Sequence, residues 1–536
     1  MPLLPRTRLI SRRPLVFVRR SLLFVHRWLG VGLSMLLTMW FVSGIVMMYW
    51  SYPTLDRVDY LRHAPRIPAS AIKMSPAEAF KEGRPPSFTL ATRDGRPVYF
   101  AGGTTVFADD GSAPGPVTPA MVDRAAAAWA ARPSSDATHA VVTDVDQWTL
   151  GDGLRELLPL QKYSWPDGQQ VYVDGRTADV VQYTTRASRF WSYLGAIPHW
   201  LYLPALRTQD SRWFFVMTWG SLLGMIATIL GLIVALWVTS PKRRYRRAHA
   251  PSTLPYSGWK RRHVLLGLVG GVTAITWTFS GLTSLQPFGF EKWLLERTVT
   301  EDIDNEEYKR VFNALTSLLV EGPLPLGEYD VRQPAAVIGE LGDFEVKSLD
   351  FGSLDGKPVY LATDGRGDSR LVPIHGDPVV MLDVHDLARR IQAAVGQSVA
   401  VRVLDGFDSY YRDRKGRLPL PVVSIAIDDS VRTRYYVDPR SVSIVESYSA
   451  RGWVHRWLHH GLHSFDVPWL YNHRPLWDVV MVTLLLTGTA LCATSVLLAY
   501  RVLARRVLLV GSYFLAPPVR PASGTSPDVG DARRLG

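Results

Sequence analysis

Four histidines stand where ionisable side chains are expensive. His26 and His263 each open a long uncharged run, and His199 and His463 each sit in a short aromatic segment just ahead of another such run. Ionisable groups near membrane depth are costly and tend to be functional. Neutral imidazole is a good ligand for haem iron, and two imidazoles fill both axial positions. Two symmetric pairs, one near each face, would hold two haems and form a wire across the membrane. The competing reading makes each histidine an interfacial anchor with its ring among the lipid headgroups. A crossed arrangement, with a ligand drawn from His455, His459 or His460, is a third option.

The uncharged runs cover about 28–50, 213–240, 264–286 and 479–500. Each is long enough for a transmembrane helix. The run after His26 repeats after His263 at a constant shift of 237 residues, pairing Gly30 with Gly267, Trp40 with Trp277, and Ser43-Gly44 with Ser280-Gly281. A second match, at a shift of 264, pairs Tyr172-Val173-Asp174 with Tyr436-Val437-Asp438, His199 with His463, and Trp213 with Trp477. The sequence therefore reads as a tandem duplication of helix, external α+β domain and helix. Copies of equal orientation are related by an axis along the membrane normal, so equivalent histidines lie at equal depth.

With 536 residues the chain is too long for one ordinary domain, and its formal charge of +12 raises the question of nucleic acid. The placement of the charge answers it. Residues 1–27 hold seven arginines and no acid, residues 241–263 hold eight lysines and arginines and no acid, and Arg501, Arg505 and Arg506 follow the last run. All flank helices, which is the positive-inside pattern, so no nucleic-acid partner is expected. Both termini and the 241–263 loop then lie in the cytoplasm, and the two large regions lie in the periplasm. The first run lacks a short apolar core with a small-residue cleavage site, so it reads as a retained anchor. The single cysteine, Cys492, falls inside the last run. It excludes an intramolecular disulfide, a covalently attached haem and an iron–sulfur cluster.

Eight segments follow: a basic arm and helix at 1–50, an external domain at 51–188, an interfacial segment and helix at 189–240, a basic loop at 241–263, a helix at 264–286, a second external domain at 287–452, an interfacial segment and helix at 453–502, and a tail at 503–536. After Ser51 the chain reads as proline- and arginine-rich coil. Hairpins are predicted at 87–103, turning on Asp94-Gly95, and at 169–185; the second domain repeats them at Asp355-Gly356 and at 433–449. Helices are predicted at 117–132 and 381–396.

Trp40 and Trp277 lie fourteen residues beyond their histidines. That is about 21 Å along a helix and nearly the same face, so they are candidates for an electron relay toward the outer pair or for an aromatic belt. His455, His459, His460 and His473 have no histidine counterpart in the first half, where Trp191, Gly195, Ala196 and Gln209 stand. They read as a second-half contact for substrate or iron, or as surface histidines. No phosphate-cradling glycine loop, zinc motif or nucleophile–base set is present. No nicotinamide or flavin domain is present either, so a separate donor must supply electrons.

The motifs HRWLG…WFVSGIVMMYW, GAIPHWLYLPALR and GLHSFDVPWLYNHRPLWD resemble the PepSY-associated transmembrane helix proteins over nearly the whole chain. YVDPRSVSIVES resembles the close of a PepSY domain. The resemblance implies an inner-membrane protein of four transmembrane helices with two periplasmic PepSY-like α+β domains. Some members resemble haem-containing ferric-siderophore reductases. It thus implies two haem b groups, held by His26, His263, His199 and His463. A cytoplasmic or quinol donor would feed them, and a periplasmic ferric siderophore or other ferric chelate would receive the electrons. The rival expectation is a non-redox anchor whose external domains bind or restrain periplasmic proteins.

Overall fold

The computed structural model describes residues 13–80, 85–151, 153–241, 245, 252–289, 306–396, 399–413, 416–428 and 432–515. The start of the basic arm, most of the 241–263 loop, residues 290–305 and the end of the C-terminal tail lie outside them. Four of the described helices are long and apolar enough to cross a membrane: Arg13–Met47, Asp210–Val238, Gly258–Ser284 and Leu476–Leu515. A helix bonds every backbone group within itself, as a span in lipid requires. The first helix packs against the second and fourth, and the third packs against the same two. The first and third are therefore diagonal partners across the bundle. Small residues allow the close approach. A Cβ on Gly224 would lie 3.2 Å from Leu37, and one on Gly271 3.2 Å from Leu232. The fourth helix outruns its predicted end, continuing through Arg501, Arg505 and Arg506 to Leu515, since arginine is a good helix former.

Among the described residues fourteen strands lie in the two regions that the helices leave on one side. β1 (Phe88–Arg93), β2 (Arg96–Ala101) and β3 (Thr104–Phe107) come from the first region. β8 (Ser348–Leu354), β9 (Lys357–Thr363) and β10 (Ser369–Pro373) come from the second. These do not form separate domains. β1 pairs antiparallel with β8 through Thr89–Asp350 and Leu90–Leu349, giving one six-stranded sheet in the order β10-β9-β8-β1-β2-β3. The Asp350 carboxylate reinforces the seam, accepting from the Thr89 hydroxyl at 2.7 Å and the Arg57 guanidinium at 2.7 Å. One core serves both regions, with Phe88 edge-on to Phe351 at 4.7 Å and Tyr99, Tyr329 and Tyr360 around them.

Each region also holds an antiparallel four-stranded meander. The first is β4 (Thr138–Val142), β5 (Leu160–Ser164), β6 (Gln170–Asp174) and β7 (Val180–Thr184). The second is β11 (Val399–Leu404), β12 (Val422–Ile427), β13 (Arg434–Asp438) and β14 (Ser443–Tyr448). Helices Pro119–Ala130 and Val384–Val395 fall inside the predicted stretches. The Thr118 hydroxyl caps the first and the Asp383 carboxylate the second. The turns at Asp94-Gly95 and Asp355-Gly356 have positive φ at both positions (52° and 78°, 53° and 69°), which Asp-Gly tolerates best. Asp94 accepts two bonds of 2.7 Å from Arg124, and Asp355 accepts one from Arg390, so each turn is tied to its region's helix.

The expected coil after Ser51 instead contains helix Arg57–His63, a 3-10 turn at Ala69–Ala71 and helix Pro76–Phe80. They are too short to show periodicity. The Asp56 carboxylate builds a capping box on the first of them, and Leu61 is buried from it.

The shared core yields a prediction. Phe351→Ala removes ring contacts to both regions at once, so it should cost about 3–5 kcal/mol. Thermal unfolding should then show the two regions losing stability together.

Candidate functional site

His26 and His263 lie on the diagonal helices, and their ring centres are 6.1 Å apart. His26 Nδ1 is 2.9 Å from the Ala227 carbonyl, which can only accept, so Nδ1–H donates. His263 Nδ1 is 3.1 Å from Thr494 Oγ1, whose own proton goes to the Leu491 carbonyl at 2.7 Å; again Nδ1–H donates. Both rings therefore turn Nε2, with its lone pair, away from these partners. A cavity of about 1130 Å³ opens beside them, lined by Gly30, Gly231, Gly267 and Gly271 among others. A Cβ on Gly231 would lie 2.6 Å from the His26 ring, so a side chain there would displace the ring.

His199 and His463 form the second pair, with ring centres 6.0 Å apart. His199 lies on the short helix Ala196–Trp200, and His463 lies just beyond a π-helical turn at Arg456–Gly461. Their Nδ1 atoms are each 3.0 Å from a serine oxygen, Ser43 and Ser280 respectively. Each serine sends its proton to a carbonyl one turn back, Trp40 or Trp277, at 3.1 Å. The serine oxygens therefore accept from Nδ1–H, and Nε2 is once more the lone-pair nitrogen. Ser43 and Ser280 each follow the inner histidine of their helix by seventeen residues. At 1.5 Å per residue the two pairs are about 25 Å apart along the bundle.

All four sequence-predicted histidines thus fall into the two expected pairs. Ser43 and Ser280, paired by the repeat at 237 residues, are the acceptors that orient the outer histidines. Trp277 is buried within the bundle, not in a lipid-facing belt. Its indole N–H donates to the His463 carbonyl at 2.7 Å, and its ring meets Phe41 and Phe465. Trp40 has no such bond. The three extra histidines join the outer pair. His459 stacks on His463 at 5.0 Å, and His455 and His460 each stand within 5.3 Å of His459. Among the described residues no three metal-ligating groups converge on a single point. His473 stands apart, its Nδ1 donating to the Trp469 carbonyl at 2.6 Å.

The fold and these sites define a membrane protein in which a four-helix bundle carries β-rich regions on one side. Residues 23–338 match the PepSY-associated TM region, and the chain belongs to that family. The matched stretch takes in His26, Trp40, His199, His263 and Trp277. No curated protein matches the chain.

The outer histidines are held from the sheets above them. In the first half, Gln147 donates to the Tyr202 carbonyl at 2.7 Å, and its neighbour Asp146 anchors the loop. Asp146 accepts from the Tyr172 hydroxyl at 2.6 Å, the Trp148 N–H at 2.9 Å and Lys162 at 3.1 Å. Burial alone would raise this carboxyl, but the hydrogen bonds and the lysine outweigh burial and hold it below the usual range. A carboxyl lowered in the folded state stabilises the protein above its unfolded pKa of about 3.9 and loses that contribution as pH falls through the folded value. Asp146→Asn should therefore lower the melting temperature at pH 7 and flatten its decline as pH falls below about 4. Melting curves across that range check it; a variant with the wild-type acid limb would refute it.

Proposed function

We propose that the two histidine pairs hold two b-type haems and that the protein carries electrons across a bacterial inner membrane to a periplasmic ferric siderophore or other ferric chelate. The observation that carries this reading is the paired geometry. An imidazole nitrogen ligates a metal at about 2 Å, so two imidazoles on opposite sides of one iron have centres roughly 6.3 Å apart. The rings here are 6.1 and 6.0 Å apart, and all four give Nδ1–H to an acceptor and keep the lone pair on Nε2. The glycine-lined cavity offers a flat group access to the inner pair, and Arg27, Lys260 and Arg505 line it too, matching the carboxylates of a haem.

When bound, haem supplies a one-electron carrier. The chain's own residues do the rest. Ala227, Thr494, Ser43 and Ser280 fix the tautomer and ring direction of each ligand, which sharpens its basicity and limits reorganisation. Leu37, Phe41 and Ala274 give the cavity an apolar lining on the side toward the outer pair. Trp277 bonds the backbone of the outer ligand and packs on Phe41, placing aromatic rings near the outer pair.

The basic flanks of the helices support cytoplasmic termini and a periplasmic position for the sheets. The repeats at 237 and 264 residues, and the paired histidines they predict, support a tandem duplication. The donor on this reading is a cytoplasmic protein or a quinol.

The test is the visible spectrum of the purified protein before and after dithionite, with a pyridine haemochrome count. About two haems per chain are expected. His26→Ala and Gly231→Val should each remove about half, and His199→Ala or His463→Ala the other half. A featureless spectrum after expression with ample haem would end the redox reading and leave the external sheets as a binding module.

A further inference from the structure

The surroundings of the outer pair are unequal, and the inequality has an internal control. At positions 191, 195 and 196 the first half carries Trp, Gly and Ala; the second half carries His455, His459 and His460 at the equivalent places. Ser192 and Tyr202 likewise face Arg456 and Asp466. The first half reaches the same depth with an α-helix, Arg186–Leu194, so the fold does not require the polar set.

The second half departs from that regular path. Its π-turn at Arg456–Gly461 is a rare geometry that is common at functional sites. The widened turn brings His460 to 5.3 Å from His455 and 4.9 Å from His459, ring centre to ring centre. The turn is pinned from below. The buried Arg456 donates to the Ser409 carbonyl at 2.7 Å and to the Asp466 carboxylate at 2.8 Å, and Arg412 binds the same carboxylate. A buried ion set of this kind is a poor source of stability. The three histidines are only half-buried.

Two residues ahead of His455, Trp453 belongs to a cationic aromatic group. Trp453 stacks on Tyr410 at 5.0 Å, and the Arg434 guanidinium lies 5.0 Å from the Tyr410 ring and 5.6 Å from the Trp453 ring. Arg434 also lies 3.9 Å from the Asp408 carboxylate. Imidazole N–H and guanidinium groups recognise oxygen anions; His459 gives its Nδ1–H to the Ser280 carbonyl, so it faces an anion as a donor only when its ring is protonated. Because no three ligating groups converge here, this face suits a metal that arrives with its own ligands.

We infer that His455, His459 and His460, with Arg434 linked to them through Trp453, form the docking face for an anionic, oxygen-ligated trivalent metal chelate. This inference rests on the proposed function and assigns its acceptor to the second-half side of the outer pair. His459 is the contact between the two. Its ring lies against His463, and its Nδ1 donates to the carbonyl of Ser280, the residue whose hydroxyl orients His463.

Gallium(III) citrate tests this without redox chemistry, because gallium cannot be reduced under these conditions. Its binding to the whole protein is read from calorimetry and from quenching of Trp453 and Trp457. Wild type should bind. The triple variant His455→Leu, His459→Leu, His460→Leu should bind at least tenfold more weakly with its haem content intact. His460→Gln, which keeps a donor, should recover part of the loss, and Trp191→Leu on the counterpart face should bind as wild type. The inference is overturned if wild type does not bind, if the triple variant binds equally, or if the triple variant loses haem, since the histidines would then be ligands. Absence of haem from wild type would defeat the proposed function alone, because gallium binding is measured independently.

Discussion

Everything at the two histidine sites depends on where one proton sits. An imidazole carries a single N–H when neutral, and a ligand must keep its lone pair on the nitrogen that faces the metal. Here four acceptors of three chemical kinds (a backbone carbonyl, a threonine and two serines) all claim the Nδ1 proton. None of the hydroxyls is free to donate back, because each has spent its proton on a carbonyl of its own helix. The constraint is electronic as well as steric. It also explains why the acceptors come from helices other than those bearing the histidines: a ring held from across the bundle cannot turn without moving a second helix.

The bundle's order makes the pairing possible. Placing the first and third helices on a diagonal lets residues of equal depth face each other through the centre, while the second and fourth supply the walls. Glycine is used at the walls for a specific reason. At Gly231 any side chain would occupy the space of the His26 ring, and at Gly488 Phe41 takes the room a side chain would need. The outer pair sits on short segments instead of membrane helices, so its position is set by the loops of the meanders. The two halves solve that task differently, with a half-exposed loop around the Asp146–Lys162 pair on one side and a buried arginine–aspartate set on the other.

Much of this was legible in the residues. The four spans, the histidine pairs and the Asp-Gly turns follow from long uncharged runs and from motifs that recur at fixed shifts. What stayed hidden has physical causes. β4 is exposed along most of its length and offers no apolar alternation, and the helices after Ser51 are short and held by local caps at Asp56 and Ser75. The pairing of β1 with β8 joins residues some 260 positions apart, and no local pattern encodes a partner. The π-turn was equally silent, because HRWLHHG has the composition of an ordinary interfacial helix. Ser43 and Ser280 stood out as a repeated pair, but a repeat does not say which rings their hydroxyls meet.

The seam between β1 and β8 also governs how the molecule is made. Between those two strands the chain crosses the membrane twice. During synthesis β1 therefore waits, with one edge unpaired, until the second and third helices have been inserted and the second region has emerged on the same side. An unpaired edge invites association with other chains, so the interval is one of exposure. Completion of the six-stranded sheet then reports that both crossings were made in the right sense. A chain that inserted the third helix backwards would leave β8 on the wrong side of the membrane, with β1 still open. The sheet thereby serves as a check on membrane topology, written into the part of the protein that never enters the lipid.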